Sequence, residues 1–414
     1  MRTLYITWDG PGTNYLESLF LPIFQELQRR GTSRFSIQQY AWESESRSAS
    51  VAAAAVNAQM RYRVRDVGWR PQSLVAGGMM LAGGLGVAHV ARRDRIDVLM
   101  PRSIIPAAMS LVAVRFLRDV KLLYDADGLK ADERADFGGW RRDGKMYRLF
   151  RRIENAAVAR ADGIVTRTRH SRDILAERSH NPSAILAKTT VTSNGKNSAL
   201  FTIGDKQARA RTRKSIGVSE NAPLVVYAGS LGAQYFPERM VAFFERLLRV
   251  RPDTHVLWLT GTPGVARSLI AQRPLLQDAC TIKSVSPGDV PALLASADLG
   301  LAFRARCLSQ QAVAPIKVGE YLLCGVPVFG SAGIGDLDSQ IDNSVGFLTA
   351  VLTDEALDAA VHWFLDEVLR QRERFRARCR AVGLEHFSLE RSADQYQAAF
   401  QELQASACPN SVSR

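Results

Sequence analysis

Short apolar segments alternate with helical segments along the whole chain, and this alternation constrains the fold more than any other feature of the sequence. Each apolar run has the composition of a buried strand and is followed by a polar or glycine-rich turn and then by helical periodicity. We predict strands at residues 4–8, 35–40, 97–100, 121–124, 163–166, 224–228, 255–260, 281–285, 299–303 and 326–329. Strands and helices that alternate in this way predict α/β domains built on doubly wound parallel sheets.

The length of 414 residues is that of two ordinary domains, each large enough to bury its own core. The segment 205–213 is dense in Lys and Arg, and we interpret it as a surface linker. This places the two domains at residues 1–205 and 220–388.

Composition and charge restrict the class of protein and its partners. The chain is 46% hydrophobic and 23% charged, which excludes a disordered protein. The net charge of +13 calls for an anionic partner, such as a nucleic acid, a nucleotide-activated substrate or an acidic membrane face. Five scattered cysteines without metal-ligand spacing predict reduced thiols and a cytoplasmic protein, and the N-terminus reads as a first strand with no signal-peptide pattern.

The segment 315–327 carries the most specific local pattern, Pro-Ile-Lys-Val-Gly-Glu-Tyr-Leu-Leu-Cys-Gly-Val-Pro. Its helical part places Lys317 and Glu320 three residues apart, on one face near the helix N-terminus. Free backbone N–H groups and a lysine there favour an anion, and a carboxylate can accept from vicinal hydroxyls. Phosphate plus ribose is the ligand that this pair predicts, although an ordinary helix with two solvated charges explains the pattern equally well.

Polar residues follow several of the predicted strands. In open α/β sheets ligands gather where the strands end, so these turns are candidate site residues. In the first domain they are Gly10, Gly12 and Thr13 after the first strand, Asp125 and Asp127 after the strand at 121–124, and His170 in a helix start. In the second domain they are Ser230, Gly261, Ser286 and Arg304. We prefer acceptor contact over a divalent metal as the role of Asp125 and Asp127.

An apolar, glycine-rich segment at 73–91 lies between arginine-rich stretches. We interpret it as a buried or interface helix rather than a membrane span, because glycines interrupt it and a strand follows at once. The basic stretches 61–70 and 141–152 include Tyr and Trp and would suit an anionic leaflet, although solvated helix faces explain most individual arginines.

Taken together, the motifs resemble those of retaining GT-B glycosyltransferases, of the large glycosyltransferase family four type (glycosyl transferases group 1). The residues that carry the resemblance are Tyr227-x-Gly229-Ser230-Leu231-Gly232-x-x-Tyr235 and Pro315-x-Lys317-x-Gly319-Glu320-Tyr321-Leu322-x-Cys324-Gly325-x-Pro327. The resemblance implies two Rossmann-like domains that face each other across a cleft, with a C-terminal helix at 389–404 that crosses back to the first domain.

What the resemblance implies for the donor is a nucleotide sugar bound mainly by the second domain. Glu320 would hold the ribose and Lys317 would offset the diphosphate charge, beside Pro315 and Ile316. Ser230, Leu231 and the loop with Gly10, Gly12 and Thr13 would contact the phosphates, while Gly261, Val285 and Ser286 would border the base. No cofactor and no metal is expected.

The sequence departs from the family pattern at three positions. Many members carry a second glutamate eight residues before the one at Glu320, where this chain has Ala312. An arginine and a lysine that often follow the first strand of the second domain are replaced by Ser230 and Tyr235. These departures affect recognition of the donor sugar more than nucleotide binding.

The implied mechanism is metal-independent. Lys317, Arg304 and the helix N-terminus would stabilise the leaving diphosphate. Either Arg304 or Arg306 would supply the charge that is missing at Ser230 and Tyr235. Asp127 is expected to contact the acceptor, together with Asp125, Ser103 and His170.

The basic, aromatic-bearing first domain suggests an acceptor presented at the inner face of the membrane. We expect this acceptor to be a saccharide or lipid-linked saccharide, used to make a surface polysaccharide or another glycoconjugate. Nucleic acid is not an expected partner. Three alternatives stay open: a sugar-nucleotide epimerase of the same fold, a metal-dependent transferase that uses Asp125 and Asp127, and a non-catalytic nucleic-acid or membrane-binding module.

Overall fold

The structure is a computed structural model that describes residues 1–9, 14–41, 45–67 and 72–405. The chain divides into two compact units. The first contains Met1–Ser193 together with the residues from Ser392 onward, and the second contains Asn194–Arg391. The division falls between Ser193 and Asn194, whereas the sequence analysis placed the end of the first domain at residue 205.

The first unit is built on a seven-stranded sheet among the described residues, in the order β3-β2-β1-β4-β5-β6-β7, with parallel pairing throughout. Its strands are β1 (Arg2–Asp9), β2 (Arg34–Ala41), β3 (Arg61–Asp66), β4 (Val98–Pro101), β5 (Lys121–Ala126), β6 (Gly163–Thr166) and β7 (Thr189–Val191). The strand order reverses direction between β1 and β4. The carboxyl ends of these two neighbours form the switch point where open α/β sheets bind ligands.

Helices connect these parallel strands. They are α1 (Leu21–Arg29), preceded by a π-helical turn at Leu16–Phe20, α2 (Glu45–Asn57), α3 (Gln72–Asp94), α4 (Ile104–Ala113), α5 (Lys130–Phe137), α6 (Lys145–Arg160), α7 (Arg169–Glu177) and α8 (Pro182–Ala187). The apolar segment 73–91 forms most of α3, which packs closely on α4 because Gly83 and Gly84 lie against Met109 and Val112. Within the described residues, no helix is long and apolar enough to cross a membrane.

The second unit repeats the plan with a six-stranded parallel sheet, in the order β10-β9-β8-β11-β12-β13 among the described residues. Its strands are β8 (Leu224–Ala228), β9 (His255–Leu259), β10 (Cys280–Lys283), β11 (Leu299–Ala302), β12 (Val328–Ser331) and β13 (Gly346–Thr349). Its helices are α9 (Lys206–Ser215), α10 (Pro237–Val250), α11 (Pro263–Ile270), α12 (Pro274–Ala279), α13 (Val290–Ala295), α14 (Ile316–Leu323), α15 (Leu337–Gln340), α16 (Asp354–Trp363) and α17 (Arg372–Phe387). Here the order reverses between β8 and β11, which places a second switch point there.

Three glycines hold α14 tightly in the core of the second unit. A Cβ on Gly300 of β11 would lie 2.5 Å from the ring of Tyr321, and one on Gly319 would lie 2.8 Å from Phe387. A Cβ on Gly383 of α17 would meet the backbone of Leu323 at 2.7 Å. Because real Cβ atoms do not approach this closely, the absence of side chains lets α14 pack against both β11 and α17, and this fixes the position of its first turn.

The last helix, α18 (Leu389–Ala405), leaves the second unit and packs on the first, as the resemblance implied. Phe400 is buried edge-on against Phe35, with ring centroids 5.8 Å apart, and Leu403 lies against Gly163. Two Rossmann-like α/β units with a returning terminal helix confirm the predicted fold class.

The interpretation of segment 205–213 as a surface linker is wrong. Asp205 caps α9 by accepting from the backbone N–H of Ala208 at 2.6 Å. Arg213 is fully buried, where it donates to the carbonyl oxygens of Ser296 and Ala222 and pairs with Asp298. A count of charged residues could not foresee that backbone carbonyls would satisfy a buried guanidinium.

Candidate functional site

The first turn of α14 brings Lys317 to the loop that follows β8. Gly229 in that loop has a φ of +142°, and a Cβ there would lie 2.7 Å from Nζ of Lys317. Only glycine leaves room for the lysine in this backbone conformation. Pro315 precedes the helix and offers no side-chain cap, so the first backbone N–H groups of α14 have no capping side chain.

The ammonium group of Lys317 is buried and has no hydrogen-bond partner among the described residues. Its Nζ lies 3.9 Å from the ring centroid of Tyr227 and 5.0 Å from that of Tyr235. Burial, and then the nearby Arg304, hold the pKa of Lys317 well below its usual range, against the opposing effect of Glu320. A buried, unpaired ammonium is costly, so this group is poised to receive an anion.

Arg304 follows β11, the neighbour of β8, and therefore lies at the switch point of the second sheet. Its Cζ is 5.0 Å from the ring centroid of Tyr235, and its Nη2 donates to the tyrosine hydroxyl at 3.3 Å. Its Nη1 donates to Oε1 of Gln310, and its backbone N–H donates to Oγ of Ser331. Two cations that the sequence analysis assigned to the leaving group thus surround one tyrosine.

Glu320, predicted to hold a ribose, pairs with a residue that the sequence analysis did not select. Nζ of Lys196 lies 2.9 Å from Oε1 of Glu320, and the side chains are only 7% and 15% exposed. Hydrogen bonds between Lys196 and the backbone of Phe387 and Leu389 fix this lysine in place. In the sequence, Lys196 is marked only by its position after the Asn-Gly pair. That position does not predict a carboxylate partner so far along the chain.

The other predicted donor-binding residues of the second unit lie at or near the carboxyl edge of its sheet. Parallel strands end on the same edge, and the residues in question follow β8, β9 and β10 or begin α14. They are Ser230, exposed, whose carbonyl accepts from Tyr227; Leu231, buried; Gly261 and Ser286, both exposed; Val285 and Ile316, partly exposed; and Pro315, buried. Gly10, Gly12 and Thr13 of the first unit lie outside the described residues.

In the first unit, Asp127 ends a chain of charges at the switch point. Nη2 of Arg102 lies 2.6 Å from Oδ2 of Asp127, and Nη1 lies 3.4 Å from Oδ1 of Asp9. Although burial opposes it, Arg102 and then Lys130 lower the pKa of Asp127 to about 2. The Asp127 side chain is 21% exposed, so it presents a carboxylate that is ionised at neutral pH to solvent.

Asp125 does not lie open to a ligand. Its side chain is completely buried, and both carboxylate oxygens accept from Nη2 of Arg167, at 2.7 and 2.8 Å. Burial raises its pKa more than the arginine lowers it. Its carbonyl accepts from the backbone N–H of Ser103, whose φ of +70° is unusual for a residue with a side chain. The Asp125 side chain therefore has no exposed atom that could make the predicted contact with an acceptor.

His170, a further predicted acceptor contact, is exposed in the first turn of α7. This helix is capped by Thr168, whose hydroxyl accepts from the backbone N–H of Ser171 at 2.9 Å. Among the described residues, no three His, Cys, Asp or Glu side chains are grouped as metal ligands would be.

Comparison with known proteins gives a family match for the second unit. Residues 208–382, all within the second unit, match the model of the family "Glycosyl transferases group 1". No curated protein sequence matches the chain.

Solved structures match over nearly the whole length at low identity. A glycosyltransferase from Rickettsia africae ESF-5 has a TM-score of 0.72 and 15% identity, over 97% of this chain and 98% of that one. Anabaena HepE, in complex with UDP and glucose, has a TM-score of 0.69 and 14% identity, over 98% and 99%. A putative UDP-N-acetylglucosamine 2-epimerase from Listeria monocytogenes has a TM-score of 0.64 and 14% identity, over 99% and 97%. The second unit therefore carries a glycosyl transferases group 1 domain, and the chain as a whole has the two-unit α/β fold of the GT-B glycosyltransferases.

Proposed function

We propose that this enzyme transfers a sugar from a nucleotide-sugar donor to a saccharide or lipid-linked saccharide, with retention and without a metal ion, in the synthesis of a surface polysaccharide or glycoconjugate. One observation carries the proposal: Nζ of Lys317 is buried at the loop after β8, without a hydrogen-bond partner in the part of the chain that the structure describes. An anionic ligand there would supply such a partner.

A diphosphate is the anion that suits this position. Lys317 and Arg304 both lie within 5.0 Å of the Tyr235 ring centroid, so two positive charges converge on one region. The first turn of α14 adds backbone N–H groups and the positive end of the helix dipole. A neutral sugar would not need this much positive charge for its binding, whereas a diphosphate would.

Glu320 supports a nucleoside as the other half of the ligand. Lys196 binds Oε1 of Glu320, and the pair lies one turn into the same helix as Lys317. The lysine orients the carboxylate and leaves Oε2 to accept from vicinal hydroxyls. The similar HepE was solved with UDP and glucose, which supports a nucleoside diphosphate sugar as the donor class here.

In the proposed reaction, the bond between the anomeric carbon and the diphosphate oxygen breaks, and charge develops on the leaving diphosphate. Lys317 and Arg304 stabilise that charge in the transition state. The leaving phosphate accepts the proton of the incoming hydroxyl, whose oxygen forms the new bond on the same face of the sugar. The arginine partners of Asp125 and Asp127 also support a metal-free reaction, because each carboxylate is already neutralised by a guanidinium.

Thermal shift with a panel of nucleoside diphosphates and nucleotide sugars tests the proposal directly, because a ligand that binds only the folded state raises its stability. We expect at least one nucleoside diphosphate to raise the Tm, and UDP is the first to try. Turnover of the matching nucleotide sugar should persist in excess chelator. Loss of turnover on chelation would overturn the metal-free part of the proposal, and the absence of any stabilising nucleotide would overturn the donor class.

The variant Arg304→Ala tests the contribution of Arg304 to diphosphate binding separately from that of Lys317. If Arg304 stabilises the diphosphate, the variant should bind the same nucleoside diphosphate about tenfold more weakly, as expected for a lost charge-assisted contact. Arg306→Ala is the matched control, since Arg306 lies two residues further along the same loop. Unchanged affinity of Arg304→Ala would remove Arg304 from the site.

A sugar-nucleotide epimerase is the second candidate, because a putative UDP-N-acetylglucosamine 2-epimerase shares the fold over nearly the whole chain. Incubation with UDP-N-acetylglucosamine and no acceptor distinguishes the two. An epimerase would produce a second sugar nucleotide without releasing UDP, whereas a transferase would release UDP only by transfer or slow hydrolysis.

The acceptor is proposed to reach the enzyme at an anionic membrane, on the inner face of the cell membrane. Two helices that pack on α4 carry both exposed apolar side chains and exposed arginines. On α3 these are Leu81, Leu85, Arg92 and Arg93, and on α6 they are Met146, Leu149, Arg148 and Arg152. Apolar side chains with a basic surround favour an interfacial position on anionic lipid. Asp127, ionised and partly exposed, is proposed to accept a hydrogen bond from an acceptor hydroxyl.

A further inference from the structure

We infer that Tyr235 is a positioning residue for the diphosphate site, where its ring holds Lys317 and Arg304 together although their charges repel. This inference rests on the proposed function and deepens it.

The contacts around the ring are specific. Nζ of Lys317 and Cζ of Arg304 each lie 5.0 Å from its centroid, within the range of a cation–π contact. The hydroxyl of Tyr235 accepts from Nη2 of Arg304 at 3.3 Å. Tyr227 contacts only one of the two cations by its ring, at 3.9 Å from Nζ of Lys317.

The turn that carries Tyr235 is fixed by its neighbours. Tyr235 ends a 3-10 turn at Ala233–Tyr235, and Phe236 after it adopts a left-handed conformation before α10 begins at Pro237. The carbonyl of Gln234 accepts from the backbone N–H of Ala305 at 2.8 Å, which ties this turn to the loop of Arg304. The ring therefore lies on a rigid support between the ends of β8 and β11.

The physical reason for such a ring is the cost of two cations in one partly buried place. Like charges at short range raise each other's energy, and a buried ammonium without a partner is unfavourable. The negative face of an aromatic ring offsets part of this cost without neutralising either charge. Both cations remain available to a diphosphate, whereas a carboxylate in the same place would compete with that ligand.

The experiment compares UDP and UMP binding by calorimetry in the full-length wild-type enzyme, Tyr235→Leu and Tyr235→Phe. We expect Tyr235→Leu to lose about tenfold in UDP affinity, since a partly buried cation–π contact is lost at each cation. Its preference for UDP over UMP should fall with it. Tyr235→Phe keeps the ring and should bind UDP within about threefold of wild type.

The outcomes separate this inference from the proposed function. Wild type that binds no nucleoside diphosphate overturns the proposed function itself. Wild type that binds UDP, with Tyr235→Leu folded and binding it equally well, overturns the role of Tyr235. If Tyr235→Leu fails to fold, Tyr235→Phe and Tyr235→Met decide, because a hydroxyl-only role predicts equal losses in both and a ring-based role predicts a loss in Tyr235→Met alone.

Discussion

At the residue scale, Lys317 lowers the stability of the unliganded enzyme and, in the proposed function, binds the diphosphate. Its ammonium is buried against two tyrosine rings, and no described residue gives it a hydrogen-bond partner. Burial and Arg304 lower its pKa. Strained or costly arrangements of this kind persist where they serve function. Two predictions follow from the same group, one on stability and one on pH.

Replacing Lys317 by methionine should stabilise the unliganded enzyme while it weakens nucleotide binding. Methionine fills similar space without a buried charge, so we expect the free energy of unfolding of the second unit to rise by ~1–3 kcal/mol. UDP affinity should fall at least about a hundredfold, because a charge-assisted contact to the diphosphate is lost. Denaturant unfolding and calorimetry measure the two effects. A variant that is less stable and still binds UDP would contradict the assignment of Lys317.

Nucleotide affinity should fall as pH rises above the lowered pKa of Lys317. A bound diphosphate raises that pKa, so between the free and bound values binding takes up a proton, and affinity falls by up to about tenfold per pH unit. The unliganded enzyme behaves in the opposite sense. Because the unfolded state holds the lysine proton more tightly than the folded state does, the free energy of unfolding rises with pH across the window from the lowered pKa to the ordinary lysine value.

Calorimetry of UDP binding in buffers of different ionisation enthalpy measures this proton uptake. Lys317→Arg is the matched control, because a guanidinium stays charged throughout and its binding should take up no proton at this position. Equal proton uptake by wild type and Lys317→Arg would assign the titration to another group.

At the element scale, the glycines of β11, α14 and α17 let α14 pack closely against β11 and α17. This close packing places Lys317 next to Gly229. In the first unit, α3 and α6 instead turn apolar side chains outward. Leu81 and Leu85 are 65% and 50% exposed, and they lie one helical turn apart on α3. Substitutions at these positions test the proposed membrane contact without changing the diphosphate site at Lys317 or the carboxylate of Asp127.

The double variant Leu81→Glu, Leu85→Glu should bind vesicles that contain anionic lipid at least tenfold more weakly than wild type, because burial of two leucines is replaced by repulsion from the lipid charge. Vesicle co-sedimentation measures the effect, and UDP binding should stay unchanged. Leu275→Glu is the control, since Leu275 is an exposed leucine of the second unit. If wild type itself stays with the supernatant at low salt, the membrane proposal fails.

At the scale of the whole molecule, the chain crosses from the second unit to the first at the start of α18, so the terminal helix completes the first unit's core. Tyr396, Phe400 and Leu403 are each at most 2% exposed. Glu26 and Asp394 both pair with Arg30 at the rim of this contact. The first unit therefore depends on residues at the far end of the sequence.

Phe400→Ala should destabilise the first unit by about 3–5 kcal/mol, the usual cost of removing a buried phenylalanine. Hydrogen exchange should show faster opening of β1 and β2, with β8 and β9 unchanged. Leu200→Ala serves as the control, because Leu200 is 64% exposed in the second unit. Equal acceleration in the strands of both units would show that they unfold together.

The sequence by itself determined the fold class, because strand and helix periodicity and turn composition are local properties that survive without tertiary contacts. It also located Lys317 and Glu320 on one helical face, which depends only on their spacing.

Only the tertiary structure decided which residues surround them: Lys196 at Glu320, and Tyr235 between Lys317 and Arg304. It likewise enclosed Asp125 and Arg213, which sequence reasoning had placed in contact with an acceptor or with solvent. Burial and the pairing of distant charges arise when the strands of a sheet are ordered, and the order β10-β9-β8-β11-β12-β13 cannot be seen in any local stretch of residues.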